Sequence, residues 1–325
     1  MSDVKIDRPS DLTGSRRGRG ERGTPRIGRL LRVVAWLNVI GNVLIIATGG
    51  AVRLTGSGLG CPTWPLCTPD SLVPTPALVD EGVHSLIEFG NRLMSPLLGV
   101  LALALLILVW PLRSARRDLF VLSWIVMAGI VAQAIVGGIT VWTGLNPFIV
   151  GFHYVASLVL VCITTVLLVR LDATPGRRVL AVPRWYAILT HVTTLVLALT
   201  IVFGVLTTGA GPHSGDAAAG RNGFDATLLE HVHAWPGYAL LALTIVLTVV
   251  AWARRLPTRT WITALLAVEL VQIAVGLYQA RNGLPELAVG IHMVLAALTA
   301  AAMTVVVLRL KAPAVTAPAA DTAAS

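Results

Sequence analysis

The sequence predicts an all-α polytopic membrane protein with eight transmembrane helices, arranged as two pseudo-symmetric four-helix bundles. Three observations support this fold class: the composition, the spacing of the apolar runs and an internal repeat. Of the 325 residues, 55% are hydrophobic and only 13% are charged, and the mean hydropathy is +0.79. Soluble domains carry about 25% charged residues, so the composition excludes an ordinary water-soluble domain.

Eight apolar runs are long enough to cross a hydrocarbon core about 30 Å thick, which takes about 20 helical residues. They are predicted near residues 33–52, 88–111, 119–141, 150–170, 185–207, 229–252, 260–280 and 287–310. The first run is long enough to span, and the tail before it is long and rich in arginine. These features are not typical of a cleavable signal peptide.

The basic residues predict how the helices are oriented. The tail from Lys5 to Arg32 contains nine of them, and 21 of all 25 lie on the same side as this tail. Because loops rich in Lys and Arg stay in the cytoplasm, we expect both termini to be cytoplasmic. The net charge of +9 then reflects topology, and no nucleic-acid partner is expected.

An internal repeat divides the chain into two halves. Residues 133–155 recur as residues 272–294, with nine identities over 23 positions, and residues 52–58 match residues 205–211. Four spans per half, an even number, give both halves the same orientation. The predicted organisation is a cytoplasmic basic tail at 1–32, an N-terminal half at 33–170, a cytoplasmic linker at 171–184, a C-terminal half at 185–310 and a disordered tail at 311–325.

Three histidines lie at one predicted depth, within about a turn of the outer ends of spans four, six and eight: His153, His233 and His292. Ionisable side chains are costly in hydrocarbon and are usually functional there. Four-helix bundles hold cofactors between facing helices, so His233 and His292 are predicted to be the axial ligands of one haem. For any single ring, the alternative is a hydrogen bond to a neighbouring helix.

The N-terminal half offers His153, but it has Asn91 where the repeat predicts a second histidine. Asparagine is a poor iron ligand, and His84 lies two helical turns earlier. We therefore expect two unequal sites. The C-terminal site is predicted to be closed and six-coordinate, and the N-terminal site to be five-coordinate or weakly ligated, a state suited to chemistry on a bound substrate.

Glu88 stands three residues before Asn91, and Glu230 stands three residues before His233, in each case on the same helix face. For Glu88, beside Asn91, we expect proton transfer or contact with a substrate. The alternative is an ion pair with Arg92 four residues later, worth a few tenths of a kcal/mol.

Arg53 and Arg92 lie at the outer ends of their helices. They are candidates to bind haem propionates through charge-assisted hydrogen bonds. The alternative is that they extend to the lipid headgroups.

Cys61 and Cys67 lie in a loop rich in Gly and Pro on the outer side. Disulfides persist in that compartment, so a disulfide between them is predicted.

Several of these segments together resemble the haem A synthase family. They are VRLTGSGLGCPTWPLC at residues 52–67, the segment 88–92, TGAGPH at 208–213 and the two Val-Gly-x-His helices at 150–153 and 289–292. The similarity covers about residues 33–310. Members of that family have eight helices in two four-helix halves and oxidise a methyl group of haem O to the formyl group of haem A for cytochrome c oxidase.

The resemblance implies that His233 and His292 ligate a resident haem b. It also implies that the N-terminal half binds haem O as the substrate, with His153 as a ligand and Glu88 as a catalytic carboxylate. The family pattern in span two is Glu-x-x-His-Arg, and this chain departs from it at Asn91.

The implied setting is the lipid bilayer of a bacterial plasma membrane. Haem O is the expected small-molecule partner, and haem O synthase and cytochrome oxidase assembly factors are candidate protein partners. Two other functions fit part of the pattern. One is a di-haem membrane cytochrome that only transfers electrons, and the other is a duplicated membrane transporter without a cofactor.

Overall fold

The computed structural model describes residues 28–80 and 82–314, and eight of its helices are long and apolar enough to cross a membrane. The prediction of an all-α polytopic membrane protein is confirmed. The long helices are α1 Arg29–Leu54, α3 His84–Val109, α4 Arg117–Trp142, α5 Pro147–Leu171, α6 Arg184–Ala210, α7 Ala226–Ala253, α8 Arg259–Arg281 and α9 Glu286–Leu308. A short helix, α2 Pro76–Asp80, lies in the first long loop.

Helices α5 and α7 begin earlier than their apolar runs, and a polar residue caps each of them. The side-chain oxygen of Asn146 accepts hydrogen bonds from the first backbone N–H groups of α5, and Pro147 occupies the first helical position. Asp225 caps α7 in the same way, by accepting from the N–H of Leu228. An apolar run marks only the part of a helix that lies in hydrocarbon, whereas the backbone hydrogen bonds of the helix extend to its cap.

Helices α1, α3, α4 and α5 form the N-terminal half, and α6 to α9 form the C-terminal half. The halves meet where α1 and α5 pack against α9. A buried apolar cluster fills this contact, with Ile46, Leu158 and Val161 from one half and Ala297 from the other. The hydroxyl of Tyr154 also donates to a backbone carbonyl of α9 at 3.0 Å.

One end of the bundle, here called the cysteine-loop face, carries the loop of residues 55–83 and the loop of residues 211–225. The two loops are joined, because the N–H of Gly58 donates to the carbonyl of Gly215 at 2.7 Å. The outer loops of the two halves are therefore one connected layer.

The opposite end, here called the basic face, carries residues 171–183 and the end of α9. Two short strands pair antiparallel there, β1 Arg178–Leu180 and β2 Lys311–Pro313. The expectation of a disordered segment from residue 311 is wrong for β2. Its backbone groups obtain partners from the linker, a tertiary contact that composition does not predict.

The predicted tails fall mostly outside the described residues, which exclude 1–27 and 315–325. Arg29 and Arg32, the last two basic residues of the predicted N-terminal tail, lie within α1. Arg32 forms an ion pair with Asp172 at 2.6 Å, which connects α1 to the end of α5.

Candidate functional site

A cavity of about 1200 Å³ lies inside the bundle and is lined by both halves. All seven residues predicted from the sequence to contact a ligand contribute to its lining: Arg53, Glu88, Asn91, Arg92, His153, His233 and His292. The two predicted sites are therefore two parts of one continuous space.

Each of the three histidines lies deeper than expected. They are six or seven residues from the first residue of α5, α7 or α9, which is nearly two turns rather than one. Side-chain caps accompany the earlier starts of α5 and α7, whereas α9 begins at Glu286 without a side-chain cap. The side chains consequently point into the bundle instead of lying at its rim.

The imidazole rings of His233 and His292 face each other across the C-terminal half. Their centres are 6.2 Å apart and their planes are inclined by 78°. With metal–nitrogen bonds of about 2.0 Å and a ring centre about 1.2 Å behind each nitrogen, two opposite imidazole ligands have centres about 6.4 Å apart. The separation of these rings therefore fits one metal ion between them.

The hydrogen bonds of His233 also fit a ligand role. Its Nδ1 lies 2.9 Å from the backbone carbonyl oxygen of Thr200, so Nδ1–H donates and Nε2 remains available. Imidazoles that bind metals usually donate their other N–H in this way, which fixes the ring.

Glycines of the neighbouring helices make room for both rings. A Cβ at Gly204 of α6 would lie 2.8 Å from Cε1 of His233, and a Cβ at Gly276 of α8 would lie 3.1 Å from Cε1 of His292. Each imidazole is thus packed against the backbone of a neighbouring helix, and a side chain larger than glycine at these positions would displace the ring.

Two imidazoles alone do not complete the coordination of a metal ion. Within residues 28–80 and 82–314, no group of three or more His, Cys, Asp or Glu side chains could hold one. A planar macrocycle that supplies four nitrogens, with one imidazole on each face, meets this requirement. The paired rings and the large cavity therefore fit a haem better than a bare ion.

The N-terminal half is built differently. His153 lines the cavity beside Gly137, the repeat counterpart of Gly276, and its buried Nδ1, like that of His292, has no hydrogen-bond partner among the described residues. Asn91, where the repeat predicts a second histidine, lines the same cavity, and its Oδ1 accepts a hydrogen bond from Thr48 at 2.7 Å. His84 does not replace the missing imidazole, because its Nδ1 lies 2.8 Å from the hydroxyl of Ser57 and it does not line the cavity.

Glu88 is buried, with 4% of its surface exposed, and both of its oxygens are engaged. Oε2 accepts from the backbone N–H of Cys61 at 2.7 Å, and Oε1 accepts from Arg92 at 2.5 and 3.0 Å. The ion pair with Arg92, which was the alternative expected for Glu88, is therefore present. In contrast, Glu230 in the other half is exposed, so the repeat does not give the two carboxylates the same surroundings.

Arg92 holds the cysteine loop rather than a ligand. A guanidinium has five N–H donors, and Arg92 uses them on Glu88 and on the carbonyls of Cys61, Thr63 and Leu66. All five donors of Arg92 are thus used on protein groups, and the binding of a haem propionate by Arg92 stays a prediction.

Arg53 joins the two halves at the cysteine-loop face. Its Nε donates to the carbonyl of His213 at 2.7 Å and one terminal nitrogen donates to the carbonyl of Thr208 at 2.9 Å. These bonds use two of its five donors, and the side chain lines the cavity. Arg53 thus retains donors that can reach a carboxylate in the cavity.

The predicted disulfide between Cys61 and Cys67 is confirmed. The loop that contains it packs against the start of α3 so closely that a Cβ at Gly60 would lie 2.5 Å from a backbone atom of His84. Together with the bonds to Glu88 and Arg92, this packing places the disulfide loop over the N-terminal part of the cavity.

The chain matches the model of the COX15-CtaA family, described as cytochrome oxidase assembly protein, over residues 32–214. The matched segment is more than half of the 325 residues. The chain belongs to this family.

The chain is also similar to proteins of known name. The chain is 32% identical to the heme A synthase of Halalkalibacterium halodurans over 162 residues, which are 49% of this chain and 52% of that protein. It is 36% identical to the heme A synthases of Bacillus cereus and Bacillus anthracis over 132 residues, 39% of this chain and 41% of each relative. The chain thus spans about half or less of the length of these relatives.

The family match covers helices α1 to α6 and ends before α7. Glu88, Asn91 and His153 lie inside the matched segment. His233 and His292 lie beyond it, so their pairing rests on the geometry of the C-terminal half and on the internal repeat.

Sequence reasoning missed several residues of the site. Gly137 and Gly276 recur in the repeat, which was a signal. Their role in packing was not predictable, because the imidazole rings that they contact lie on other helices. Glu269, a buried carboxyl in the lining of the cavity, was signalled by its position inside an apolar run. The carbonyl of Thr200 gave no signal, because every residue has one.

Proposed function

We propose that this protein is a haem A synthase, which oxidises a methyl group of haem O to the formyl group of haem A for cytochrome c oxidase. One observation carries the proposal: a single cavity is lined by two imidazoles with centres 6.2 Å apart in one half, and by one imidazole and an amide in the other. A closed site beside an open site suits an enzyme in which one haem stays bound and the other is converted.

His233 and His292 are the residues that would hold the resident haem b. Their ring separation of 6.2 Å fits two axial ligands, and the bond from His233 Nδ1 to the carbonyl of Thr200 orients one ring. When bound, this haem supplies one-electron transfer. Gly204 and Gly276 keep both rings in position and exclude water from behind them.

In the N-terminal half, His153 would bind the iron of the haem O substrate. Asn91 lies where a sixth ligand would be, and its amide is turned by the bond from Thr48 so that Nδ2 is the group left to donate. A weakly ligated substrate can leave after oxidation, whereas a bis-histidine complex would hold it.

Glu88 would accept protons at Oε2. Oxidation of a methyl carbon first to an alcohol and then to a hydrated aldehyde releases protons as well as electrons, and a base near the carbon assists both steps. A carboxylate oxygen has two lone pairs, and Oε2 has one partner, the N–H of Cys61. Arg92 and the disulfide loop keep this carboxylate in place.

Arg53 would bind a propionate with the donors that it does not use on the protein. We also place the basic face in the cytoplasm, because it carries most of the Lys and Arg residues, and the cysteine loop on the opposite side, where a disulfide persists. Haem O synthase would then supply the substrate, and the assembly of cytochrome oxidase would use the product.

The proposal is tested in cells that make haem O but lack their own haem A synthase. Expression of this chain is expected to yield extractable haem A, identified by its mass and by the shift of its pyridine haemochrome spectrum. Glu88→Gln is expected to retain the resident haem and lose conversion. Glu286→Gln is the matched control, because Glu286 is exposed in the first turn of α9.

The other outcomes identify the alternatives. Two permanently bound haems without any formyl product would show a di-haem cytochrome. A colourless protein from haem-replete cells would show a transporter, and so would His233→Ala and His292→Ala variants with unchanged spectra.

A further inference from the structure

The C-terminal half contains three buried polar residues, here called the polar group, at positions where the N-terminal half has apolar residues. Thr244, Glu269 and Thr299 are 0%, 3% and 3% exposed, on α7, α8 and α9. The repeat offsets of 142 for α7 and 139 for α8 and α9 align them with Ala102, Ile130 and Leu160. Those three residues form part of an apolar core cluster. All three positions are apolar in one half and polar in the other.

The centre of this polar group is the carboxyl of Glu269. Its Oε1 accepts a hydrogen bond from the hydroxyl of Thr244 at 3.0 Å. Its Oε2 is buried and has no partner among the described residues, and Glu269 lines the cavity. Gln272, one turn closer to the histidines, also has a buried Oε1 without a partner.

No cation compensates Glu269. The ion pairs found in the described part of the chain do not include it. The titratable side chains of neighbouring helices that line the same cavity in this half are Glu230, His231, His233 and Tyr238 of α7 and His292 of α9. The hydroxyl of Tyr186 of α6 is occupied by Thr258 and the carbonyl of Leu247.

An isolated carboxylate in a low-dielectric interior requires a compensating positive charge or a proton. Glu269 lies seven residues before Gly276, which packs against His292, so it is about 10 Å along the helix from the paired imidazoles. A positive charge at the metal position would stabilise the carboxylate at that distance, because a protein interior screens charges less than water does.

We infer that Glu269 is a proton-binding site that takes up one proton when the haem held by His233 and His292 takes up one electron. Ferric iron carries one more positive charge than ferrous iron, and this charge compensates the carboxylate. After reduction a proton compensates it instead, and the carboxylate becomes a carboxylic acid. The electron comes from the oxidised substrate, or from an electrode in the test, and the proton comes from the substrate or from water. Reoxidation releases both.

The inference rests on the haem-binding part of the proposed function and not on the oxidation of haem O. It explains why the polar group occurs only in the half with the closed site. The N-terminal half has its own carboxylate, Glu88, at the other end of the cavity.

The test is electrochemically induced infrared difference spectroscopy of the full-length protein with its haem bound. The wild-type protein is expected to gain a carboxylic-acid C=O band on reduction, and its midpoint potential is expected to change with pH as one proton per electron requires. Glu269→Gln is expected to lose the band and flatten the pH dependence. Glu286→Gln should retain both.

A second variant keeps the test decisive if Glu269→Gln does not fold or loses haem. Thr244→Val preserves the shape of the side chain and removes the donor to Oε1, so the band is expected to persist at a higher frequency. An unchanged band in either variant, at wild-type haem content, overturns the inference. Haem A production, measured on the same preparations, separately decides the proposed function.

Discussion

The glycines behind the histidines give a graded prediction. Adding a Cβ at Gly204, Gly276 or Gly137 would place it 2.8, 3.1 or 3.6 Å from Cε1 of the imidazole that it faces. Carbon atoms in ordinary contact are about 3.5–4.0 Å apart. Gly204→Ala therefore requires a shift of about 0.7 Å, Gly276→Ala a shift of a few tenths of an ångström, and Gly137→Ala none.

The shift at Gly204 acts on the hydrogen bond between His233 and the carbonyl of Thr200. This bond is 2.9 Å long, and a displacement of about 0.7 Å would bring it beyond the length of a true hydrogen bond. Loss of such a supporting bond typically lowers metal affinity about 10- to 100-fold. Alanine also favours the helix over glycine by about 0.5–1 kcal/mol, so the fold itself should not weaken.

The assay is the ratio of haem to protein after purification, followed by a challenge with an excess of a haem-accepting protein. We expect haem retention to fall in the order Gly137→Ala, Gly276→Ala, Gly204→Ala, with thermal stability in detergent unchanged. Gly137→Ala is the matched control, since it has the same helix gain without a clash. Equal haem retention in all three variants would refute the packing argument.

Three further predictions concern the N-terminal half. Asn91→His is expected to increase the low-spin signal in the electron paramagnetic resonance spectrum, because it restores a second imidazole; an unchanged spectrum would contradict its placement opposite His153. Arg92→Lys offers three donors in place of five, so we expect a loss of about 1–3 kcal/mol per unpaired buried group, measured by thermal unfolding; equal melting temperatures would disprove its role. Gly60→Ala is expected to destabilise the cysteine loop, which faster proteolysis would report, whereas Gly90→Ala, with open space around its Cβ, should behave as wild type.

The asymmetry between the halves has a simple physical basis. Duplication gives both halves the same turn before α5 and α9, with a Gly-Leu pair at positive φ in each, so His153 and His292 recur at one depth. The differences lie at individual positions: Asn91 corresponds to His233, and the apolar Ala102, Ile130 and Leu160 correspond to Thr244, Glu269 and Thr299. Each difference changes the side chains available inside its half.

The sequence by itself determined the eight spans, the duplicated frame, the pairing of the two cysteines and seven of the residues that line the cavity. These features depend on local properties: the length of an apolar run, the spacing of a repeat and the chemistry of a side chain at a given depth. The helix starts were three residues off at both α5 and α7, because caps depend on hydrogen bonds and not on hydropathy.

Only the tertiary structure decided which groups meet. It assigned the donors of Arg92 to the cysteine loop, paired the linker with the strand at Lys311–Pro313, and brought the rings of His233 and His292 to 6.2 Å. It also revealed Glu269 as a buried carboxyl with one oxygen unpartnered among the described residues. The reason is physical: each of these contacts joins segments far apart in the chain, and their distances follow from how the helices pack against one another.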